Sequence, residues 1–408
     1  MKIAVVNNFF PPRPGGSSHL SDHLARAYAA SGHEVLVLTA SYRNAPEVEE
    51  RDGFRIARIP AWILPKNRFA ANFDIAFTIG PTSLSRVNRI LDDFNPDVIH
   101  QHGQFFDLTW QTGLWARKNK VPTLLSVHTR LESPNPVHDL IYRMGDALLV
   151  KPMMRIHSPK LVVMDIHMDR YIKKRYRHAF RGTVAIPVGI EPEKLSLGDA
   201  NVVRMRHGLV NGEHVILSVG HVIPQRSRMQ LVEALPEILT EVPTARLLVI
   251  GGVYHDEFLH RARVLGVDGA IIAPGSVAQS EMPHYLAAAD VEIHELEGTG
   301  FGTAGLEALA VGLPVVAAMR TDNFLDITVQ DGRELFIAPP IDNDDPHADP
   351  QALAEVLIQL LKDPAGARAA VSQNAKDFIN DHFTLDRVSE RHLAVLEELV
   401  SSSRTTEG

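Results

Sequence analysis

The stretch from Glu295 to Val316 holds the densest set of residues able to do chemistry. Gly298, Gly300 and Gly302 precede a short run that reads as a helix beginning near Thr303, whose hydroxyl can cap it. The unpaired amides of a first helical turn form an anion site, to which the helix dipole adds about 0.3–1 kcal/mol. Thr303 and Glu307 fall four apart on one face, while Leu306, Leu309 and Ala310 face a core. A glutamate one turn inside such a helix repels a phosphate, yet suits hydroxyl groups lying beyond it. Two more loops pair glycine with anion chemistry. Asn8 to His19 carries Gly15 and Gly16 ahead of a helix expected near Leu20. Val219 to Arg228 sets Gly220 before His221, Arg226 and Arg228, cations placed to neutralise a departing phosphate. Paired glycines also mark ordinary turns and arginines are common on surfaces, so position carries this argument more than residue type.

Positioning requires strands that end at these loops. Apolar runs at 3–6, 35–39, 97–100, 123–127, 160–164 and 183–187 read as strands. The pattern restarts at 215–219, 246–250, 270–273, 290–293, 314–317 and 335–338. Helical spacing between them, such as Leu20, Leu24 and Ala27 before Gly32, predicts parallel sheets covered on both faces. Two doubly wound α/β domains in tandem follow, with ligands at the carboxyl ends of the strands. The expected divisions are 1–190, 200–380 and a helix with a polar tail over 381–408, with the boundary inside 188–212. Ser401 to Gly408 reads as a disordered tail. Lys173 to Arg177 reads as a solvated basic face.

The 408 residues suit two such domains, and the 45% apolar content supports full cores. A net charge of −8 and a pI near 6.2 argue against nucleic acid as a partner. Zero cysteines exclude disulfides, Cys-ligated zinc, iron–sulfur clusters and a thiol nucleophile. Strand residues begin at Lys2 and no apolar run approaches a membrane span, so neither a signal peptide nor a transmembrane segment is expected. The expected setting is the cytoplasm, with a peripheral place at the membrane left open.

The chain resembles the retaining family-4 glycosyltransferases over nearly its whole length. Matches come in family order: Gly15-Gly16, Gly32 to Val35, Asp97 to His100, Ser126 to Thr129, Ile186 to Ile190, Val219-Gly220 and Ala287 to Val291. The most specific are last, Gly300-Phe301-Gly302 with Leu306-Glu307-Ala308 and Gly312 to Val316. The resemblance implies a GT-B fold of two Rossmann-like domains facing an interdomain cleft, the acceptor on the N-terminal side and a nucleotide-sugar donor on the C-terminal side. It implies Gly15 and Gly16 against the donor diphosphate, with His128 near the donor sugar. Gly220, Arg226 and the Gly300 to Ala304 loop, including the amides of Thr303 and Ala304, would hold the diphosphate, and Glu307 the ribose hydroxyls. Arg226, His128 and His221 are the catalytic candidates. No cofactor is implied beyond the nucleoside-diphosphate sugar as co-substrate, and no metal, since basic groups and helix dipoles replace it. The implied reaction is front-face transfer of a hexose or deoxyhexose, with retention, to a hydroxyl on a small molecule, glycan or lipid.

Three positions depart from the family pattern. Thr299 stands where the family has the first carboxylate of a Glu pair, His221 where it has arginine, and Val188 where it has asparagine. Thr299 points to a donor altered at its 3- or 4-position, unless Glu297 supplies the missing carboxylate. Arg228 is the alternative to Arg226. These losses also leave open a degenerate nucleotide-sugar-binding protein or a partner subunit of another transferase. His100 and His102 share a strand face but lack a third ligand for a metal. The acidic run Asp342 to Asp345 has the Asp-x-Asp spacing of a metal motif, yet reads as a solvated turn.

Overall fold

A computed structural model describes residues 1–13, 15–64, 75–133, 135–195, 198–294, 296–297, 300–338 and 347–405. Thr299 and the run Asp342 to Asp345 lie outside them. The chain divides into two compact units, Met1–Pro187 with Val388–Gly408, and Val188–Arg387.

In the first unit the strand Lys2–Asn7 alternates its side chains between two cores. Ile3 and Val5 pack with Leu24, Tyr28 and Leu396; Ala4 and Val6 pack with Leu91, Leu108 and Trp115. Burial on both faces is what a parallel sheet requires, and the sheet is parallel but for one edge. From edge to edge the strands are Gly182–Ala185, Lys160–Val163, Thr123–Ser126, Val98–His102, Lys2–Asn7, Glu34–Ala40, Phe54–Ile59 and Val48–Arg51. The last two form an antiparallel hairpin absent from the sequence expectation. Its turn, Asp52-Gly53, has positive φ at both residues, the geometry that matches strand twist. Val48–Arg51 is polar and largely exposed, as suits an edge, and so carries little apolar signal.

In the second unit the order is Ile271–Gly275, Ala245–Ile250, His214–Val219, Val291–His294, Val315–Ala317 and Phe336–Ile337, all parallel. Both sheets reverse direction of growth beside their first strand, so each has a switch point there. The expected two doubly wound α/β domains are present.

Four local expectations change. The first helix begins at Gly16, not near Leu20, because its serines are satisfied locally. Ser18 Oγ donates to Arg13 O at 2.6 Å, and Asn7 Nδ2 donates to Ser21 Oγ at 3.1 Å. Residues 381–387 stay with the second unit, where Ile190 N donates to Phe383 O and Leu385 N to Ile190 O. Ser401 to Thr405 of the expected disordered tail are helical, and 406–408 lie outside the described residues; the helix Leu385–Thr405 buries Val388, Leu396 and Val400. Arg404 Nη2 reaches Asp97 Oδ1 at 3.2 Å. The basic run at 173–177 is solvated only in part, since Tyr176 is buried and Arg175 turns inward.

Leu396→Ala should therefore lower the unfolding free energy by about 2–5 kcal/mol, the range for a buried leucine. Denaturant unfolding would show this; a loss under about 1 kcal/mol would mean that the last helix is not part of the first core.

Candidate active site

The first unit's switch point lies between Lys2–Asn7 and Val98–His102, where Asn7 pairs with His102. Loops beyond these strand ends enclose a cavity of about 520 Å³, lined by Arg13, Gly15, Gly16, His102, Gln104 and His128 among others. Gly15 sits before the helix Gly16–Ala30 with φ +148°, and no side chain caps that helix. A Cβ at Gly16 would meet no protein atom within 4 Å, so its small size leaves the cavity wall open. Arg13 is buried, with its guanidinium 4.2 Å from the Phe9 ring centroid.

His128 opens onto this cavity and is positioned by histidines. Its Nε2 lies 2.9 Å from His102 Nδ1, with the rings stacked 5.2 Å apart. One of those two nitrogens donates and the other accepts, an arrangement that two neutral rings can make. His102 Nε2 is buried without a hydrogen-bond partner among the described residues. His100 lies 2.9 Å from Ser126 Oγ through Nε2 and 3.1 Å from Tyr28 OH through Nδ1. Its ring centroid is 5.1 Å from that of His392, on the last helix. These partners occupy both ring nitrogens of His100 and Nδ1 of His102, and among the described residues no three His, Asp or Glu side chains gather for a metal ion. Burial first, then repulsion between neighbouring imidazolium charges, holds His100 and His102 well below the ordinary range. Burial likewise pushes His128 and His392 down to about 4.

In the second unit Gly220, φ +129°, ends the first strand, and its N–H donates to Ile250 O at 2.8 Å. His221 Nδ1 accepts the Gly252 N–H at 2.9 Å. Through this bond His221 Nδ1 serves as an acceptor. Arg226 is exposed at the tip of a tight turn, where Ile223 and Arg226 bond each other's backbone. Arg228 is different. It is buried, donates Nε to Ser218 Oγ at 2.8 Å, and pairs through Nη1 with Glu297 Oε2 at 3.5 Å. Its backbone N–H also donates to Glu297 Oε1 at 2.7 Å. This pair occupies both fallback residues: Arg228 is held beneath the turn, and Glu297 is buried on Arg228.

The helix Thr303–Ala310 follows with Gly302 at its N-cap. Thr303 is its first residue rather than its N-cap and provides no cap; Gly302 N–H donates to His294 Nε2 at 2.9 Å. His294 Nδ1 lies 3.2 Å from Glu292 Oε1, so His294 carries its proton on Nδ1 and donates it to the buried carboxylate. This relay was not anticipated; its only sequence signal is a glutamate inside an apolar strand. Phe301 is buried, edge-on to His294 at 5.0 Å, leaving only its backbone for a ligand. A Cβ at Gly305 would meet the Phe301 ring at 2.7 Å, so glycine there lets that ring seat. The amides of Thr303 and Ala304 start the helix without a side-chain cap. Glu307, half-buried, accepts from Gln279 Nε2 at 3.0 Å, and burial raises its pKa, with Glu292 adding to the rise. Gly300, with φ +108°, completes this loop, whose neighbour Thr299 is outside the described residues.

Two doubly wound units, each with a glycine turn and an uncapped helix start at its switch point, define a GT-B architecture. Residues 15–165 match the model described as Glycosyl transferase 4-like domain, and residues 200–378 that described as Glycosyl transferases group 1. The chain belongs to the family-4 type of GT-B glycosyltransferases and is an enzyme of that class. It is 28% identical to the GDP-mannose-dependent alpha-(1-6)-phosphatidylinositol monomannoside mannosyltransferase of Mycolicibacterium smegmatis, over 98% of this chain and 99% of that one. It is 24% identical to the alpha-monoglucosyldiacylglycerol synthase of Streptococcus pneumoniae, over 78% and 71% of the two chains. Among solved structures, HepE of Anabaena in complex with UDP-glucose superposes with a TM-score of 0.67 at 17% identity, over 98% of this chain and 100% of that one.

The buried histidines give a pH prediction with a definite sign. Unfolded, each protonates near about 6.5; folded, His128 and His392 stay neutral down to about 4. Their contribution is complete above about pH 6.5 and is lost as pH falls toward 4. The melting temperature of the first unit should fall across that window, and His392→Gln should make the fall shallower. An unchanged slope in the variant would show that His392 is not held neutral.

Proposed function

We propose that the enzyme transfers a hexose or deoxyhexose from a nucleoside-diphosphate sugar to a hydroxyl acceptor, with retention and without a metal. The observation that carries this reading is the second unit's loop set. The uncapped amides of Thr303 and Ala304 and the turn bearing Arg226 both follow strands at the switch point. In this reading they bind the diphosphate, and Arg226 and the helix amides meet the charge that grows as it leaves. Glu307, raised in pKa yet bonded to Gln279, accepts ribose hydroxyls. Gly15 and Gly16 offer backbone to the diphosphate, and His128, neutral and anchored by His102, accepts a hydroxyl of the donor sugar. The acceptor oxygen bonds to the anomeric carbon on the face from which the phosphate departs. Its proton passes to the departing phosphate oxygen, so no protein nucleophile is needed.

The relatives support a nucleotide sugar: one is named for GDP-mannose and one structure holds UDP-glucose. Two are named for lipids, phosphatidylinositol and diacylglycerol derivatives, which favours a lipid-borne hydroxyl as acceptor. Glu297, committed to Arg228, does not stand in for the family carboxylate replaced at Thr299. That supports a donor modified at its 3- or 4-position.

Turnover of UDP-, GDP-, ADP- and dTDP-sugars with EDTA present tests the reaction. The expected outcome is undiminished transfer with the donor's anomeric configuration kept in the product. Activity that EDTA removes and manganese restores would overturn metal independence; an inverted product would overturn retention; binding without turnover of any donor would overturn the transfer itself.

Arg226→Ala should cost about 2.7–4 kcal/mol in transition-state stabilisation, by comparison with loss of one oxyanion donor. The effect should fall on kcat more than on donor Kd, because the charge it meets develops during bond cleavage. A near wild-type kcat would remove Arg226 from the leaving-group site.

A further inference from the structure

The helix Pro136–Gly145 continues through a π-helical turn, Asp146–Val150, into the helix Lys151–His157. Along it Val137, Leu140, Ile141, Met144, Leu148 and Leu149 are 52–68% exposed. Val137, Leu140, Ile141 and Met144 stand at i, i+3, i+4 and i+7, one face of the helix, and Leu148 and Leu149 follow in the π-helical turn. Two carboxylates point the other way, while Arg143 is 60% exposed and pairs with Asp139 one turn away at 2.7 Å. Asp139 and Asp146 have side chains only 18% and 3% exposed, and both are held by Arg175 of the helix Ile166–Arg175, at 3.3 and 3.7 Å. Asp146 also accepts from Tyr176 at 2.5 Å and Tyr171 at 3.1 Å. Pro136–Gly145 buries none of its residues. It is amphipathic but inverted: carboxylates inward, large aliphatic groups outward. Water alone does not favour that arrangement, since a contiguous apolar face on a surface costs free energy unless something covers it.

Charge identifies what covers it. Residues 117–181, which contain this helix and its neighbours, hold 14 Lys and Arg against 5 Asp and Glu, or +9, in a chain whose net charge is −8. Arg143 stands on the helix itself, and Lys173, Lys174 and Arg177 are exposed at the carboxyl end of the helix whose Arg175 grips Asp139. Arg155 is exposed on the helix Lys151–His157 that follows. Apolar side chains outward with cations around them are the pattern of a helix lying in the interface of an anionic bilayer, where leucines enter the acyl boundary and long basic stems reach the headgroups. Among the described residues no helix is long and apolar enough to cross a membrane.

We propose that the first unit docks peripherally on anionic lipid bilayers through the outward face of residues 137–149, with Arg143, Arg155, Lys174 and Arg177 as its electrostatic rim. The proposal goes beyond the transfer reaction and does not depend on it, because docking needs no sugar donor.

Flotation of the full chain with vesicles tests this directly. The wild type should float with phosphatidylcholine vesicles containing about 30% phosphatidylglycerol, and bind about tenfold less to phosphatidylcholine alone or at about 1 M salt. Leu140→Glu/Leu148→Glu should reduce binding by about tenfold or more, with an unchanged melting temperature because both positions are exposed. Lys174→Glu/Arg177→Glu, which leaves the stripe intact, should weaken binding to the anionic vesicles and leave binding to phosphatidylcholine unaltered. A wild type that stays unbound, or stripe variants that float like it, would overturn the proposal. A concentration-dependent dimer abolished by Leu140→Glu/Leu148→Glu, with no flotation, would overturn it in favour of a second copy of the chain.

Discussion

The buried ion pair between Arg228 and Glu297 is the interaction on which the second unit's site most depends. It joins two loops that leave different strands at the switch point, one after Val219 and one after His294. Burying both charges is costly, and the geometry offsets this with hydrogen bonds to Ser218 Oγ and from the Arg228 backbone amide. The pair also shapes the glycine turn: a Cβ at Gly220 would approach Arg228 Nη2 to 3.2 Å. Arg228 lies underneath as structure, while Arg226 is exposed at the tip of the turn. Removing either partner would leave a buried charge alone, so these loops stand or fall together.

The Glu292–His294 relay extends the same logic one loop further. Gly302 N–H would otherwise be one of the free amides at the start of the helix Thr303–Ala310. By taking that amide, His294 fixes the direction from which the remaining amides face outward. The first unit solves its version of the problem with no Asp or Glu among the described residues lining its cavity. There His100, His102, His128 and His392 hold one another as neutral rings, and the loop before the first helix is stapled by Asn7, Ser18 and Ser21. Neutral histidines tolerate burial far better than charged ones, so burial lowers all four pKa values, with repulsion from neighbouring histidines adding to it at His100, His102 and His128 and from Arg391 at His392.

The inverted helix at 136–157 fits a transferase whose relatives are named for lipid derivatives. Its carboxylates are spent inward on Arg175, Tyr171 and Tyr176, and its aliphatic side chains are spent outward. Stability of the fold and exposure of the stripe come from the same contacts. The inward polar network is strong enough that the outward face is free to serve another purpose.

Much was legible in the sequence because its signals are local. Apolar runs of four or five residues, glycine turns after the first strand of each half and the Gly300 to Val316 cluster determined two doubly wound domains and their ligand ends. Backbone geometry and the hydrophobic effect act over a few residues, so those features need no partner from elsewhere. What only the tertiary structure decided were pairings between distant segments. His392 lies beside His100, Glu297 beside Arg228, and Asp146 beside Tyr171, Tyr176 and Arg175. Helical spacing alone also marks the apolar stripe at 137–148, but periodicity does not say which side of a helix faces the protein. That side was chosen by the carboxylates, whose burial is affordable only where Arg175 and two tyrosines wait to receive them.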